Sequence, residues 1–141
     1  MKTLYEASAT ATGGRAGHVS SSDGILDFKL ELPEELGGKG GAHTNPEQLF
    51  AAGYAACFGS ALDAVAKMHK AEPDDIEVTA IVGIGRHPEE DGFLLEVTLD
   101  VYLPGISLDL AETMVEEAHD LCPYSRATQD NIDVTLNILE D

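Results

Sequence analysis

The feature that most constrains this fold is a run without charge, Leu49 to Leu62, in a chain where 24% of residues are charged. Asn45 and Pro46 precede the run and suit the N-cap and first position of a helix. A helix that is apolar on every side is a buried helix. Its many Ala and Gly residues would let neighbouring backbone approach closely. The rest of the fold must therefore be built around this helix.

Strand patterns flank the predicted helix on both sides. Alternating apolar residues mark six strands, at 5–11, 16–22, 25–30, 76–84, 93–103 and 132–138. Asp23-Gly24 is a hairpin signal, and a second helix begins after Ser107 and is interrupted at Cys122-Pro123. The order β-β-β-α-β-β-α-β, with strands in hairpins, predicts an α+β fold. We expect one domain covering residues 1–141, with a second copy of the chain covering part of the apolar helix as a homodimer.

Charge and hydropathy limit the partners and the compartment. The net charge is −18, with 26 acidic and 8 basic residues spread along the chain. Phosphate backbones require a surplus of Lys and Arg, so nucleic acid is excluded as a partner. The uncharged run of 14 residues is shorter than the roughly 20 of a membrane span, and no apolar segment follows the start. These features predict a soluble cytoplasmic protein without a membrane partner.

The two cysteines, Cys57 and Cys122, are the candidate reactive groups. They lie 65 positions apart and fit neither a secreted disulfide framework nor a zinc-ribbon pattern. In a reducing compartment, such a pair belongs either to the inert core or to transient redox chemistry. The pattern alone leaves both interpretations open.

Cys57 lies in the middle of the apolar helix, where burial raises the pKa of a thiol and makes it unreactive. A nucleophilic Cys57 therefore requires a nearby cation. Arg15 is a candidate, because the glycines of the 13–17 segment allow close approach and a guanidinium can stabilise a thiolate. The alternative is a solvated arginine at the tip of a turn.

Glu47 lies in the first turn of the helix, where the positive helix terminus favours a carboxylate. Ten helical residues separate it from Cys57, a rise of about 15 Å. Glu47 cannot touch that cysteine within one straight helix. It could act through Arg15, or across a dimer interface near the Cys57 of the partner.

Cys122 ends the second helix, where the negative end of the helix dipole disfavours a thiolate. It would be a poor attacking thiol and a reasonable resolving one. His119 precedes it at a spacing that a metal could use, but too few soft ligands accompany the pair for a structural metal site. The other histidines are interpreted as surface residues.

Several of these motifs together resemble the organic hydroperoxide resistance proteins, within the superfamily that includes the osmotically inducible protein C group. The motifs are 13–18 (GGRAGH), the turn at 23–24, 45–58 (NPEQLFAAGYAACF), 122–125 (CPYS) and 131–134 (NIDV). The similarity covers essentially the whole chain. One departure is Gln129-Asp130, where members commonly have Arg-Gly.

The resemblance implies an α+β OsmC-like fold, with antiparallel β-sheets wrapped around central apolar helices in an intertwined homodimer. It implies a thiol peroxidase of organic and fatty-acid hydroperoxides. Cys57 matches the peroxidatic cysteine, Cys122 the resolving one, Arg15 the arginine that activates the thiolate, and Glu47 the glutamate that holds this arginine. The implied reductant is a dithiol, such as the dihydrolipoyl group of a lipoylated protein, and no metal or organic cofactor is expected.

Two other functions fit the residues less well. A non-enzymatic redox-sensing or small-molecule-binding domain would keep Cys57 as core or oxidise it without turnover. A cysteine hydrolase would require a His and an acid beside Cys57, and the sequence offers no obvious pair.

Overall fold

A computed structural model describes every residue from Met1 to Asp141. The chain divides into two compact units, Met1–Leu49 and Phe50–Asp141. The single-domain interpretation stays a prediction. The strands are β1 (Ala9–Thr12), β2 (His18–Ser21), β3 (Asp27–Lys29), β4 (Glu77–Arg86), β5 (Phe93–Tyr102) and β6 (Asp133–Leu139). The α-helices are α1 (Pro46–Met68), α2 (Leu108–Leu121) and α3 (Pro123–Thr128), with 3-10 turns at Gly14–Ala16 and Glu34–Leu36.

The first unit is built on an antiparallel sheet with strand order β1-β2-β3. β2 begins two residues later than the pattern predicted, because Gly14–Ala16 forms a 3-10 turn. Gly13 and Gly14 have φ of 75° and 58°, a backbone region that glycine enters without a Cβ clash. β1 likewise begins at Ala9, so the predicted strand residues before it lie outside the sheet.

Helix α1 begins where the sequence predicted. The Asn45 side chain accepts a hydrogen bond from the backbone N–H of Gln48 at 2.9 Å, which is the expected N-cap contact. The Gln48 side chain instead accepts from the Thr44 hydroxyl at 2.9 Å, so the capping arrangement is not reciprocal. The helix continues to Met68, past the end of the uncharged run.

The single chain leaves part of α1 uncovered, and its covering by a second copy stays a prediction. One face is buried, formed by Tyr54, Phe58, Ala61, Leu62, Val65 and Ala66. Ala52, Ala56 and Ser60 recur every four residues on another face and are exposed. The most apolar 18-residue window of α1 has a mean hydropathy of 1.5, and 33% of this window is buried. α1 is long and apolar enough to cross a membrane by length and composition only, a test that the core helix of a soluble protein also passes. The absence of a membrane partner stays a prediction.

The second unit contains a mixed sheet with strand order β4-β5-β6. β4 and β5 form the predicted hairpin, and the alternation along β5 is confirmed by the burial of Val97, Leu99 and Val101. The antiparallel pairing that the resemblance implied holds for β4 and β5, whereas β6 pairs with β5 in parallel and makes this sheet mixed. α2 and α3 intervene between these strands and supply the crossover that a parallel pair requires.

Cys122 lies between two helices. Ser107 caps α2, which ends at Leu121, and α3 begins at Pro123. The backbone of Cys122 is extended, with φ −62° and ψ 123°, as proline requires of the residue before it. α3 was not predicted from the sequence, which indicated only an interruption at this point. The buried surfaces of α1, α2 and the mixed sheet form one core that includes Cys122.

Candidate active site

Arg15 and Glu47 form a two-pronged ion pair within the first unit. The Arg15 Nη1 donates to Glu47 Oε2 at 2.7 Å, and Nη2 donates to Oε1 at 2.6 Å. The 3-10 turn holds Arg15 in place, and a Cβ on Gly17 would lie 1.7 Å from the carbonyl oxygen of Thr12. Glycine is therefore required at position 17 for the turn to close.

The pair favours the charged form of both side chains. The hydrogen bond from Arg15 lowers the pKa of Glu47 and outweighs the opposing effect of burial. The hydrogen bond to Glu47 in turn raises the pKa of Arg15. A guanidinium has five N–H donors and this pair uses two of them, so Arg15 can donate to a further anion. Its side chain is 38% exposed, which leaves that capacity accessible.

Cys57 and Cys122 meet within the second unit. Their Sγ atoms are 3.6 Å apart, and both thiols are free. Cys122 is completely buried, whereas Cys57 on α1 is partly accessible. A disulfide has a length of about 2.05 Å, so closure requires the sulfurs to approach by only about 1.5 Å.

The surroundings of Cys57 within this chain raise the pKa of its thiol. Burial is the largest cause, and the neighbouring Cys122 raises the pKa further, while a hydrogen bond from the Tyr124 backbone lowers it. The net direction is upward, as the sequence predicted for a thiol in an apolar helix. Cys57 therefore requires an added positive charge to ionise at neutral pH.

An aromatic cluster adjoins the thiols. The rings of Phe50, Tyr54 and Tyr124 have centroids 5.8 to 6.3 Å apart. Gly53 makes room for Tyr124, because a Cβ at Gly53 would lie 3.1 Å from the tyrosine hydroxyl. One side of Cys57's helix thus carries an apolar, partly exposed wall.

A buried hydroxyl network joins α1 to α3, and the sequence reasoning missed it. The Tyr54 hydroxyl lies 2.7 Å from Ser125 Oγ and 3.1 Å from Thr128 Oγ1. The sequence signal for these residues is their spacing from the cysteines, because Tyr54 is three residues before Cys57 and Ser125 is three residues after Cys122. The sequence does not show that the two segments contact each other.

The histidines do not assemble a metal site. No group of three or more His, Cys, Asp or Glu side chains is placed to hold a metal ion. His69 contacts Glu117, and His18 contacts Asp27, in surface pairs. His119 has a buried Nδ1 without a hydrogen-bond partner. The expectation of a metal-free protein stays a prediction.

Comparison with known proteins gives a consistent family. The family model for OsmC-like proteins matches residues 38–137. An organic hydroperoxide resistance protein from Xanthomonas axonopodis pv. citri is 54% identical over 138 residues, covering 97% of this chain and 96% of that protein. Organic hydroperoxide resistance protein OhrB from Bacillus subtilis is 47% identical over 135 residues, covering 96% of this chain and 98% of the relative.

Solved structures agree with the sequence relatives. The crystal structure of an organic hydroperoxide resistance protein from Elizabethkingia anophelis superposes with a TM-score of 0.94 at 50% identity, covering 100% of both chains. The predicted α+β fold of the OsmC type is confirmed by this similarity. With its paired free thiols and its Arg–Glu ion pair, the chain belongs to the OsmC-like family and, within it, to the organic hydroperoxide resistance proteins.

Proposed function

We propose that this protein is a thiol peroxidase that reduces organic hydroperoxides to alcohols. The observation that carries the proposal is the 3.6 Å separation of the Cys57 and Cys122 sulfurs, both reduced, with only Cys57 accessible. An accessible sulfur can meet a peroxide, and a buried neighbour can resolve the product. Family membership supports the substrate class, because the relatives are named for resistance to organic hydroperoxides.

The first step is attack by the Cys57 thiolate on the distal peroxide oxygen. A bond forms between sulfur and that oxygen, the O–O bond breaks, and the alkoxide leaves and takes up a proton to become an alcohol. Cys57 is then a sulfenic acid. We assign the positive charge that ionises Cys57 to Arg15, held by Glu47, and the apolar surroundings would suit an alkyl or fatty-acyl peroxide.

The second step is closure of a disulfide. The Cys122 thiol attacks the Cys57 sulfenic sulfur, an S–S bond forms, and water leaves with the sulfenic oxygen. The buried position of Cys122 suits a resolving thiol that meets only Cys57. The partly buried setting also shields the sulfenic acid from a second peroxide.

Regeneration requires an external dithiol, which exchanges with the disulfide and leaves both cysteines reduced. A small dithiol such as a dihydrolipoyl group fits, because Cys57 alone is accessible for the attack. We place the cycle in the cytoplasm, where such reductants keep cysteines reduced.

A homodimer is part of the proposal. The exposed face of α1 carries the small side chains of Ala52, Ala56 and Ser60, which suits close packing against a second copy. The N-terminal segment exposes Leu4 and Tyr5 at 92% and 81%, and these side chains could cover a partner. We expect the Arg15–Glu47 pair of one subunit to serve the Cys57 of the other.

Turnover of cumene hydroperoxide with dihydrolipoamide tests the function. The wild-type protein should consume many equivalents of peroxide per chain, and Cys57→Ser should consume none. Consumption of a single equivalent would instead identify a redox sensor. Unchanged turnover in Cys57→Ser would remove Cys57 from the chemistry.

A further inference from the structure

Three buried hydroxyl groups connect the helix of one cysteine to the helix that follows the other. Tyr54 and Ser125 have no exposed surface, and Thr128 has 7%. A buried hydroxyl without a partner is costly, so each of the three must be satisfied inside the protein. Their partners therefore fix how α3 lies on α1.

The hydrogen positions in this network follow from counting donors. Thr128 Oγ1 donates its one hydrogen to a backbone carbonyl, with Tyr124 O at 3.0 Å and Ser125 O at 3.2 Å. It must then accept from Tyr54, whose one hydrogen is used there. Tyr54 in turn accepts from Ser125, which has no other side-chain partner. The hydroxyls form one directed chain, Ser125 to Tyr54 to Thr128 to the α3 backbone.

The hydroxyl network lies next to the two cysteines and affects the distance between their sulfurs. Tyr54 is one helical turn before Cys57, so the two side chains leave α1 on neighbouring positions. Ser125 lies in the first turn of α3, and the Arg126 N–H donates to the Cys122 carbonyl oxygen at 2.9 Å. Any movement of α3 away from Tyr54 would carry Cys122 with it and widen the 3.6 Å gap between the sulfurs.

We infer that Tyr54 is a positioning residue for disulfide closure, acting through its bonds to Ser125 and Thr128. This inference rests on the proposed function, because closure is the second step of that cycle. Tyr54 keeps the Cys122 thiol beside the Cys57 sulfenic acid. Without these hydrogen bonds, closure of the disulfide slows. A second hydroperoxide molecule then oxidises the Cys57 sulfenic acid to the sulfinic acid before the Cys122 thiol reaches it.

The test is Tyr54→Phe, which keeps the ring and removes the hydroxyl. Reduced full-length protein is mixed with excess cumene hydroperoxide, and the reaction is quenched at intervals. The intact mass of the protein is then measured by mass spectrometry. The first step should keep its rate within about twofold, while closure slows by about tenfold, the effect of losing two buried hydrogen bonds that are together worth roughly 1.4 kcal/mol. Sulfinic acid should accumulate in the variant and remain minor in the wild type.

Tyr102→Phe is the matched control, because its hydroxyl contacts Asp141 at the surface and no cysteine. It should close at the wild-type rate. Ser125→Ala is a second variant that covers a failure of Tyr54→Phe to fold. It leaves the Tyr54–Thr128 bond in place, so closure should slow by only about threefold. A wild-type closure rate in the folded Tyr54→Phe variant, or in Ser125→Ala if that variant alone folds, overturns the inference.

Diamide separates this inference from the proposed function. Its azo group takes two hydrogens and two electrons from a pair of thiols, which leaves a disulfide and a hydrazine, without any peroxide. Slower closure of Tyr54→Phe with diamide supports the network even if hydroperoxide never forms the disulfide in wild-type protein. Equal closure in both proteins overturns the network, even if wild-type protein turns over hydroperoxide.

Discussion

Removal of Arg15 should move the pH at which Cys57 reacts. Burial already raises the pKa of this thiol above its ordinary value. An unassisted thiol with a pKa of at least about 8.5 is no more than about 3% ionised at pH 7. A guanidinium beside the sulfur favours the thiolate and raises this ionised fraction. Arg15→Ala should therefore react at least about tenfold more slowly at pH 7.

The shape of the pH profile is the sharper result. Both proteins are studied with Cys122→Ser, and reaction of Cys57 with cumene hydroperoxide is followed in single turnover. Below the Cys57 pKa each rate should rise about tenfold per pH unit, and the rate with Arg15 should level off at a lower pH than the Arg15→Ala rate. Arg15→Lys should fall between them, because it keeps the charge without the fork.

Arg86→Ala is the matched control for loss of one positive charge. Arg86 lies at the end of β4, with its guanidinium 5.2 Å from the centre of the Phe93 ring. It should reproduce the profile with Arg15 intact. Identical pH profiles with and without Arg15 would refute the assignment of Arg15 as the group that ionises Cys57.

Further predictions concern stability near the same elements. Because Arg15 lowers the pKa of Glu47, the pair stabilises the fold fully above the unfolded carboxyl pKa of about 4.3 and loses this effect as pH falls through the lower folded value. Glu47→Gln should therefore cost about 1 kcal/mol at pH 7, screened by solvent at Arg15, and almost nothing near pH 2 in urea unfolding; an equal cost at both would contradict this. Asp130 has φ 61°, so Asp130→Gly should raise the unfolding free energy by up to about 1 kcal/mol, and a loss would show that the Asp side chain contributes a contact. Gly17→Ala should disrupt the Arg15 turn, because its Cβ would lie 1.7 Å from the Thr12 carbonyl oxygen, and unchanged thermal stability would contradict that geometry.

Capping residues and hydrophobic periodicity predicted the longer helices and strands correctly. The Asn45-Pro46 start of α1 and the alternation along β5 were correct, because capping and burial act over neighbouring residues. α3 was missed because six residues are too short for a helical period. The parallel pairing of β6 was missed because it depends on how α2 and α3 return the chain, which no local pattern reports.

In the site, too, local properties could be predicted from the sequence, whereas contacts between distant residues could not. Burial of Cys57 and its raised pKa follow from the apolar helix around it. The contacts of Arg15 with Glu47 and of Cys57 with Cys122 join residues 32 and 65 positions apart, and spacing alone could not provide them. The resemblance implied both pairs, and the structure contains both contacts. The roles of the four side chains stay predictions.

Intact mass and peptide mapping after one equivalent of cumene hydroperoxide test the central claim most directly. The reduced chain should lose two hydrogens and release one equivalent of the alcohol, and the tryptic map should show a single disulfide joining Cys57 to Cys122. A chain of unchanged mass, or one whose added oxygen stays on another residue while both cysteines remain reduced, would contradict the account.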